Sequence, residues 1–200
     1  MAPLYKNLQT IFETVQRFVE INQKEWEAVL PYVEVQQLQK HDFLLKPGHI
    51  CRKMFFLLSG YTRIYSQSPT GEVTRDINKP STFLTALPSY ISEKPSQEII
   101  QCVTKVEVLI ISKEHLEGLF YQFHNWERLG RLIIQEMYMD TQQRLYDFIH
   151  LTAEDRYRKL LKDHKDLMDH IPLGYIASFL GISPPSLSRI RKQLLNINTN

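Results

Sequence analysis

The stretch from Ile171 to Lys192 limits this chain's fold more than any other. Pro172 suits a helix start, where its missing N–H is not needed. Ile176, Ala177 and Leu180 then share one apolar face at helical spacing. Gly181 permits the positive φ that closes a helix and turns the chain sharply. Ser183 is a natural N-cap, and Pro184 or Pro185 fits the first turn after it. In the second helix Leu187, Ile190 and Leu194 point one way, at roughly 100° per residue. Pro185, Arg189 and Lys192 fall on the opposite side, flanked by Ser186 and Ser188. The pattern predicts a helix-turn-helix, with Ala177 small where the two helices cross. Such a motif lays its second helix in the DNA major groove, whereas an ordinary helical hairpin would merely solvate the same basic face.

Charge favours the first reading. From Leu151 onward there are eight Lys/Arg against five Asp/Glu, a net +3, while the first 150 residues carry a net −1. The last thirty residues hold Arg189, Arg191 and Lys192 and no acid. A basic face with nothing to neutralise it favours phosphate contact. Three charges are few, so tight binding calls for two copies of the module. Other function classes find little support. Cys51 and Cys102 are the only cysteines and form no CxxC, which leaves a disulfide framework, a zinc finger or an iron–sulfur cluster without a basis. The seven histidines show no metal spacing, and no Ser-His-Asp or paired-carboxylate layout stands out, so the chain reads as non-enzymatic and free of cofactors. No apolar run approaches the ~20 residues of a membrane span. The N-terminus lacks the layout of a signal peptide, which places the chain in the cytoplasm.

The rest of the chain supplies a frame. Residues 5–32 read as helical, with Leu8, Ile11, Phe12, Val15 and Val19 at three and four and a second short helix from Gln23 to Leu30. From Val33 to Ser112 the period changes. Short apolar or alternating runs are separated by turn signals at Lys46-Pro47-Gly48, Ser59-Gly60, Pro69-Thr70-Gly71 and Thr104-Lys105, which suggests a small all-β barrel or jelly roll. Lys113 to Phe120 is a short helix. Asn125 to His150 is a long one whose apolar positions cover more than one face, enough for its own barrel and for a second subunit. Thr152, followed by Glu154 and Asp155, marks a new helix start. The expected domains are 1–124, 125–150 and 151–200.

In this order the parts resemble the Crp/Fnr family of bacterial transcription regulators. The resemblance rests on Phe43-Leu44-Leu45-Lys46-Pro47-Gly48 with Gly60 twelve residues on, on Thr152-Ala153-Glu154-Asp155-Arg156-Tyr157, and above all on the Ile171–Lys192 block. It implies an α+β chain: an N-terminal jelly-roll β-barrel like that of cyclic-nucleotide binders, a long dimerisation helix, and a C-terminal winged-helix-like helix-turn-helix domain. The chain ends at Asn200, so the wing is expected to be reduced. The implied partners are double-stranded DNA, a second copy of the chain, RNA polymerase and an unknown small-molecule effector.

Carried over by position, Arg189 matches the family's guanine-reading arginine, and Ser183 and Ser186 match phosphate contacts near the helix N-terminus. Pro185, Ser188 and Lys192 complete the expected DNA-facing set. Pro184 and Pro185 stand where cyclic AMP-responsive members have charged residues, the second a base-reading glutamate, so a different or looser site is expected. The sensing pocket departs further. Cyclic-nucleotide binders carry a glutamate for the ribose and an arginine for the phosphate. Aligned on Phe83, those stretches become Thr85, Ala86, Ser96 and Gln97, and both charged determinants are gone. A buried phosphate without its arginine is badly compensated, so no cyclic AMP response is expected. Phe83, Leu87, Tyr90 and Thr141 remain as pocket candidates for another effector, beside the alternative of a filled roll. The competing function is a ligand sensor acting through protein partners; the retention of Arg189 and Lys192 argues against it.

Overall fold

The computed structural model describes residues 2–197, with side chains described from 8 to 194. Two helices lead: α1 (Ala2–Gln16) and α2 (Gln23–Val29), followed by a single 3-10 turn at Leu30–Tyr32. A reciprocal cap starts α2. The Asn22 side chain accepts from the Glu25 N–H, and the Glu25 carboxylate accepts from the Asn22 N–H.

Eight strands follow: β1 (Glu34–Leu38), β2 (Phe43–Leu45), β3 (Lys53–Ser59), β4 (Thr62–Ser68), β5 (Gly71–Asn78), β6 (Thr82–Leu84), β7 (Glu98–Cys102) and β8 (Val106–Ser112), with the short helix α3 (Leu87–Ser92) between β6 and β7. They form two antiparallel four-stranded sheets, ordered β1-β8-β3-β6 and β2-β7-β4-β5. The expectation of a closed barrel is therefore corrected to a roll of two facing sheets. β2 and β6 are three residues each and end the sheets instead of bridging them. Between the sheets lie Phe55, Leu57, Ile64, Ile100, Val108 and Ile110. The opposite face of the first sheet presents Met54, Phe56, Leu109 and Ile111 to the flanking helices. Both faces of β3 are thus covered, which is why its sequence reads as an unbroken apolar run. At the β3–β4 corner Gly60 has φ +80°, and a Cβ there would meet the Lys105 carbonyl.

Beyond the roll come α4 (Lys113–Gln122) and the long α5 (His124–His150). The first half of α5 buries Trp126, Leu129 and Ile133 against α1 and the roll. Trp126 Nε1 donates to the Glu25 carbonyl at 3.0 Å, and Asn125 Nδ2 donates to its carboxylate. The second half is different: Tyr138, Met139, Leu145, Tyr146, Phe148 and Ile149 are exposed, Ile149 by 67%.

The C-terminal unit consists of α6 (Ala153–Asp163), α7 (Leu167–His170), α8 (Leu173–Phe179) and α9 (Pro184–Ile197). Thr152 caps α6 by accepting from the Asp155 N–H. Tyr157, Leu160, Ile176, Ala177, Leu180 and Leu187 form its core, which continues into the roll through Val103, Tyr61 and Ile77. Among the described residues no strand follows α9; the expected reduced wing falls to residues 198–200, outside them.

Candidate functional site

The α8–α9 turn is closed by two backbone hydrogen bonds, Ile182 N–H to the Ala177 carbonyl and Gly181 N–H to the Ser178 carbonyl, both 3.0 Å. This is a Schellman turn, and it sets Gly181 at φ +68°. Ala177 is fully buried at the crossing, as its size suggested. Ser183 begins α9, its hydroxyl 2.9 Å from that of Ser186 and accepting from the Ser186 N–H. Leu187 and Leu194 face the core. The opposite side is open: Ser183, Pro185, Ser188, Arg189 and Lys192 are exposed and Ser186 is half-buried. Arg189 Nη2 donates to Ser186 Oγ at 3.3 Å, and among the described residues no carboxylate pairs with it. All six expected DNA-facing residues therefore lie on α9 or at its start, with the exposed Arg189 guanidinium near its middle.

The helix-turn-helix does not hang free of the roll. β5 is the edge strand of its sheet, and α8 packs along it. Ser178 Oγ donates to the Glu72 carbonyl at 3.0 Å and accepts from the Thr74 N–H at 2.9 Å. The Arg144 Nη2 of α5 donates to the Thr74 carbonyl at 3.2 Å and to the Phe179 carbonyl at 2.6 Å, with its guanidinium 3.9 Å from the Phe179 ring centroid. Burial and the neighbouring Arg75 and Arg156 charges lower the Arg144 pKa to about 10, against the pull of Asp76 and Asp147, so it stays charged at neutral pH. Arg63, 2% exposed, is held between the Tyr65 ring and the Tyr175 ring of α8, at 3.8 and 3.7 Å, and is paired with Glu72 at 2.7 Å. Tyr61 stacks on His170 and donates to Asp166.

A cavity of about 710 Å³ lies between the roll, α5 and the C-terminal unit. Of the expected effector residues it brings together Phe83, Thr85, Leu87 and Thr141. The Thr85 hydroxyl is already engaged, donating to the Lys53 carbonyl, and Thr141 donates to the Met137 carbonyl of its own helix. Ala86, Tyr90, Ser96 and Gln97 do not line it. Ala86 is fully buried in the core between the sheets. Ser96 is buried and spends its hydroxyl on the backbone of Glu98. Gln97 is exposed, and Tyr90 packs among the helices. The cavity wall carries five cations (Arg75, Lys79, Arg144, Arg156, Lys159) and five acids (Asp76, Glu98, Asp140, Asp147, Asp163). Arg75 pairs with Glu98 at 2.5 Å and Lys159 with Asp147 at 2.6 Å. Burial and the Asp76 charge raise the Asp140 pKa, against a smaller opposite pull from His164.

Residues 35–123 match the cyclic nucleotide-binding domain. Among solved structures the chain is similar to the c-di-GMP responsive global regulator CLP of Xanthomonas campestris, at 18% identity, covering 88% of this chain and 93% of that one with a TM-score of 0.67. It is also similar to FixK2 of Bradyrhizobium japonicum, at 13% identity, 83% and 86% coverage and a TM-score of 0.70. A third is a putative Crp/Fnr-family transcriptional regulator of Eubacterium rectale, at 15% identity, 88% and 84% coverage and a TM-score of 0.69. Each of these matches covers more than four fifths of the chain. The chain has the Crp/Fnr fold. No curated protein matches it by sequence. No described helix is long and apolar enough to cross a membrane, and no group of three His, Cys, Asp or Glu is placed to hold a metal among the described residues.

Within this Crp/Fnr fold, sequence reasoning found the face of α9 and missed what holds it. Nothing in the local pattern gives Arg63, Arg144, Tyr175 or Ser178 a docking role. An arginine inside a long helix, and a serine inside a short one, read as solvated surface until the edge of β5 is known to lie beside them.

Proposed function

We propose that this chain is a dimeric, sequence-specific DNA-binding transcription regulator of the Crp/Fnr type that does not respond to cyclic AMP. The observation that carries the reading is α9: one side presents Ser183, Ser186 and the exposed Arg189, while Leu187 and Leu194 tie the other side to the core. At the start of α9 the Ser183 and Ser186 hydroxyls are the groups that can meet a phosphate, since Pro184 and Pro185 have no N–H, and Arg189 offers the two-pronged donor that fits a guanine edge. Dimerisation is supported by the second half of α5. Tyr138, Leu145 and Ile149 recur at seven and four residues along one stripe, exposed within the single chain. A second copy of the helix is the partner with a matching stripe.

The cavity supports the remaining part. Its charges balance, its two closest ion pairs are already made, and no arginine occupies the stretch at Ser96 and Gln97. A phosphodiester in the cavity would find the wall's cations already engaged, Arg75 and Lys159 by carboxylates, Arg144 and Arg156 by backbone carbonyls and Lys79 by His164, and would lose its hydration without a cation free to replace it. Isothermal calorimetry with cyclic AMP and cyclic GMP is expected to give no heat at micromolar nucleotide; micromolar binding of either would refute this part. For DNA, selection of bound duplexes from a random library is expected to return two-fold symmetric sites with half-sites about one helical turn apart. Recovery of unenriched sequence at every salt concentration would refute the reading.

A further inference from the structure

The outer edge of β5 has unpaired backbone groups that a further strand would normally take. Here Glu72 C=O and Thr74 N–H, flanking Val73, are both taken by one hydroxyl, that of Ser178, and the Thr74 C=O is taken by Arg144. Ser178 lies within a helix, where a serine usually turns back to the carbonyl four residues earlier. It turns outward to another domain instead. Arg144 reaches the same strand from α5 and, with the same nitrogen, the end of α8 at Phe179. Beyond Phe179 the Schellman turn and the buried Ala177, Leu180 and Leu187 make α8 and α9 one rigid piece. Whatever fixes α8 therefore fixes the face of α9.

We propose that Ser178 and Arg144 are positioning residues for DNA recognition, docking α8 on the β5 edge so that the roll sets the direction and separation of the two recognition helices in a dimer. The inference rests on the DNA-binding reading above. Neither residue lies on the exposed side of α9, so the contacts each half-site makes are untouched by them. What they govern is tolerance of half-site spacing. One inserted base pair turns one half-site by roughly 35° and moves it by about 3.4 Å relative to the other. A docked domain cannot follow that displacement, whereas an undocked one swings on the α5–α6 joint at Leu151 and Thr152.

The test compares wild type with Ser178→Ala, Ser178→Thr and Arg144→Met. Hydrogen exchange at the Thr74 amide reports the dock without DNA. Titration against a selected site, the same site with one inserted base pair, and a single half-site reports positioning. In wild type the insertion is expected to weaken binding about a hundredfold. In Ser178→Ala and Arg144→Met the penalty falls to about tenfold or less, with half-site affinity unchanged. In Ser178→Ala the Thr74 amide exchanges at least tenfold faster, and Ser178→Thr, which keeps the hydroxyl, restores both values. If the Ser178→Ala and Arg144→Met variants keep the full spacing penalty although Thr74 has lost protection, the inference is overturned while the DNA-binding reading stands. An unprotected Thr74 amide in wild type overturns it as well. Failure of wild type to select any DNA overturns the DNA-binding reading and this inference with it.

Discussion

Replacing Gly181 by alanine imposes two separable costs. The residue sits at φ +68°, in the left-handed region, where a side chain costs about 1–2 kcal/mol. A Cβ there would also stand 2.5 Å from Cε1 of Phe148, about 1 Å inside ordinary contact. Phe148 is 38% exposed, so its ring can turn away, but its guanidinium neighbours Arg144 and Arg156, at 5.0 and 4.6 Å, are then lost. Contacts of that kind contribute roughly 0.5–1 kcal/mol each at exposed sites. Together the substitution should destabilise the helix-turn-helix by about 2–4 kcal/mol, or some 30- to 900-fold in the opening equilibrium. Native-state hydrogen exchange at the Ile182 amide, which donates to the Ala177 carbonyl across this turn, measures that opening. The second half of the prediction is a double-mutant cycle. With Phe148→Ala already in place, Gly181→Ala should cost only the backbone share, about 1–2 kcal/mol. If the two substitutions add without coupling, the ring is not what crowds Gly181 and the reasoning fails. If Gly181→Ala is neutral in both backgrounds, the turn itself is wrongly described.

Three further outcomes follow from the same structure. Leu145→Glu and Ile149→Glu, 54% and 67% exposed in the single chain, should leave the fold intact by circular dichroism yet shift sedimentation from dimer to monomer; a dimer surviving both changes would place the interface elsewhere. Asp140→Asn should raise the melting temperature at pH 7. Burial and Asp76 hold the Asp140 carboxyl above its ordinary pKa, so its charged form costs stability above the folded value. That cost disappears as pH falls through the folded value towards the unfolded ~3.9, and the advantage of the variant should vanish with it. Asp147 should behave oppositely. Burial raises its pKa, but hydrogen bonds from Lys159 and Gln143 outweigh this and hold it low. Its contribution is present above the unfolded value and lost as pH falls through the folded one, so Lys159→Met should destabilise the α5–α6 corner at pH 7 and progressively less as acid titrates Asp147.

Much of this molecule was legible in the chain because local chemistry agreed with the tertiary result. Pro172, Gly181 and Ser183 mark the helix-turn-helix, and each does in space what its chemistry suggests. Gly48, Gly60 and Gly71 all take positive φ where turns were read. The long helix and the start of α6 at Thr152 follow from periodicity and a cap. What was not legible depends on distant partners. β6 is three residues and α3 six, too short for any period to register. The helix α7 is a single turn. Whether the strands close into a barrel or stop as two sheets is decided by edge lengths, not by the pattern within strands. The effector set shows the limit most clearly. Alignment on Phe83 carried Ala86, Ser96 and Gln97 towards a pocket, whereas local burial and the Glu98 backbone draw the first two elsewhere and Gln97 faces outward.

The central claim is that Arg189 reads a base from the open side of α9. The most direct measurement is the affinity of wild type and Arg189→Ala for one selected duplex, at fixed salt, beside a duplex with the contacted base pair changed. Loss of a two-pronged guanine contact is worth roughly 1–3 kcal/mol, so the variant should bind the selected site about 5- to 150-fold more weakly and no longer distinguish the changed base pair. Equal affinity of both proteins, or a variant that still discriminates that base pair as wild type does, would contradict the account.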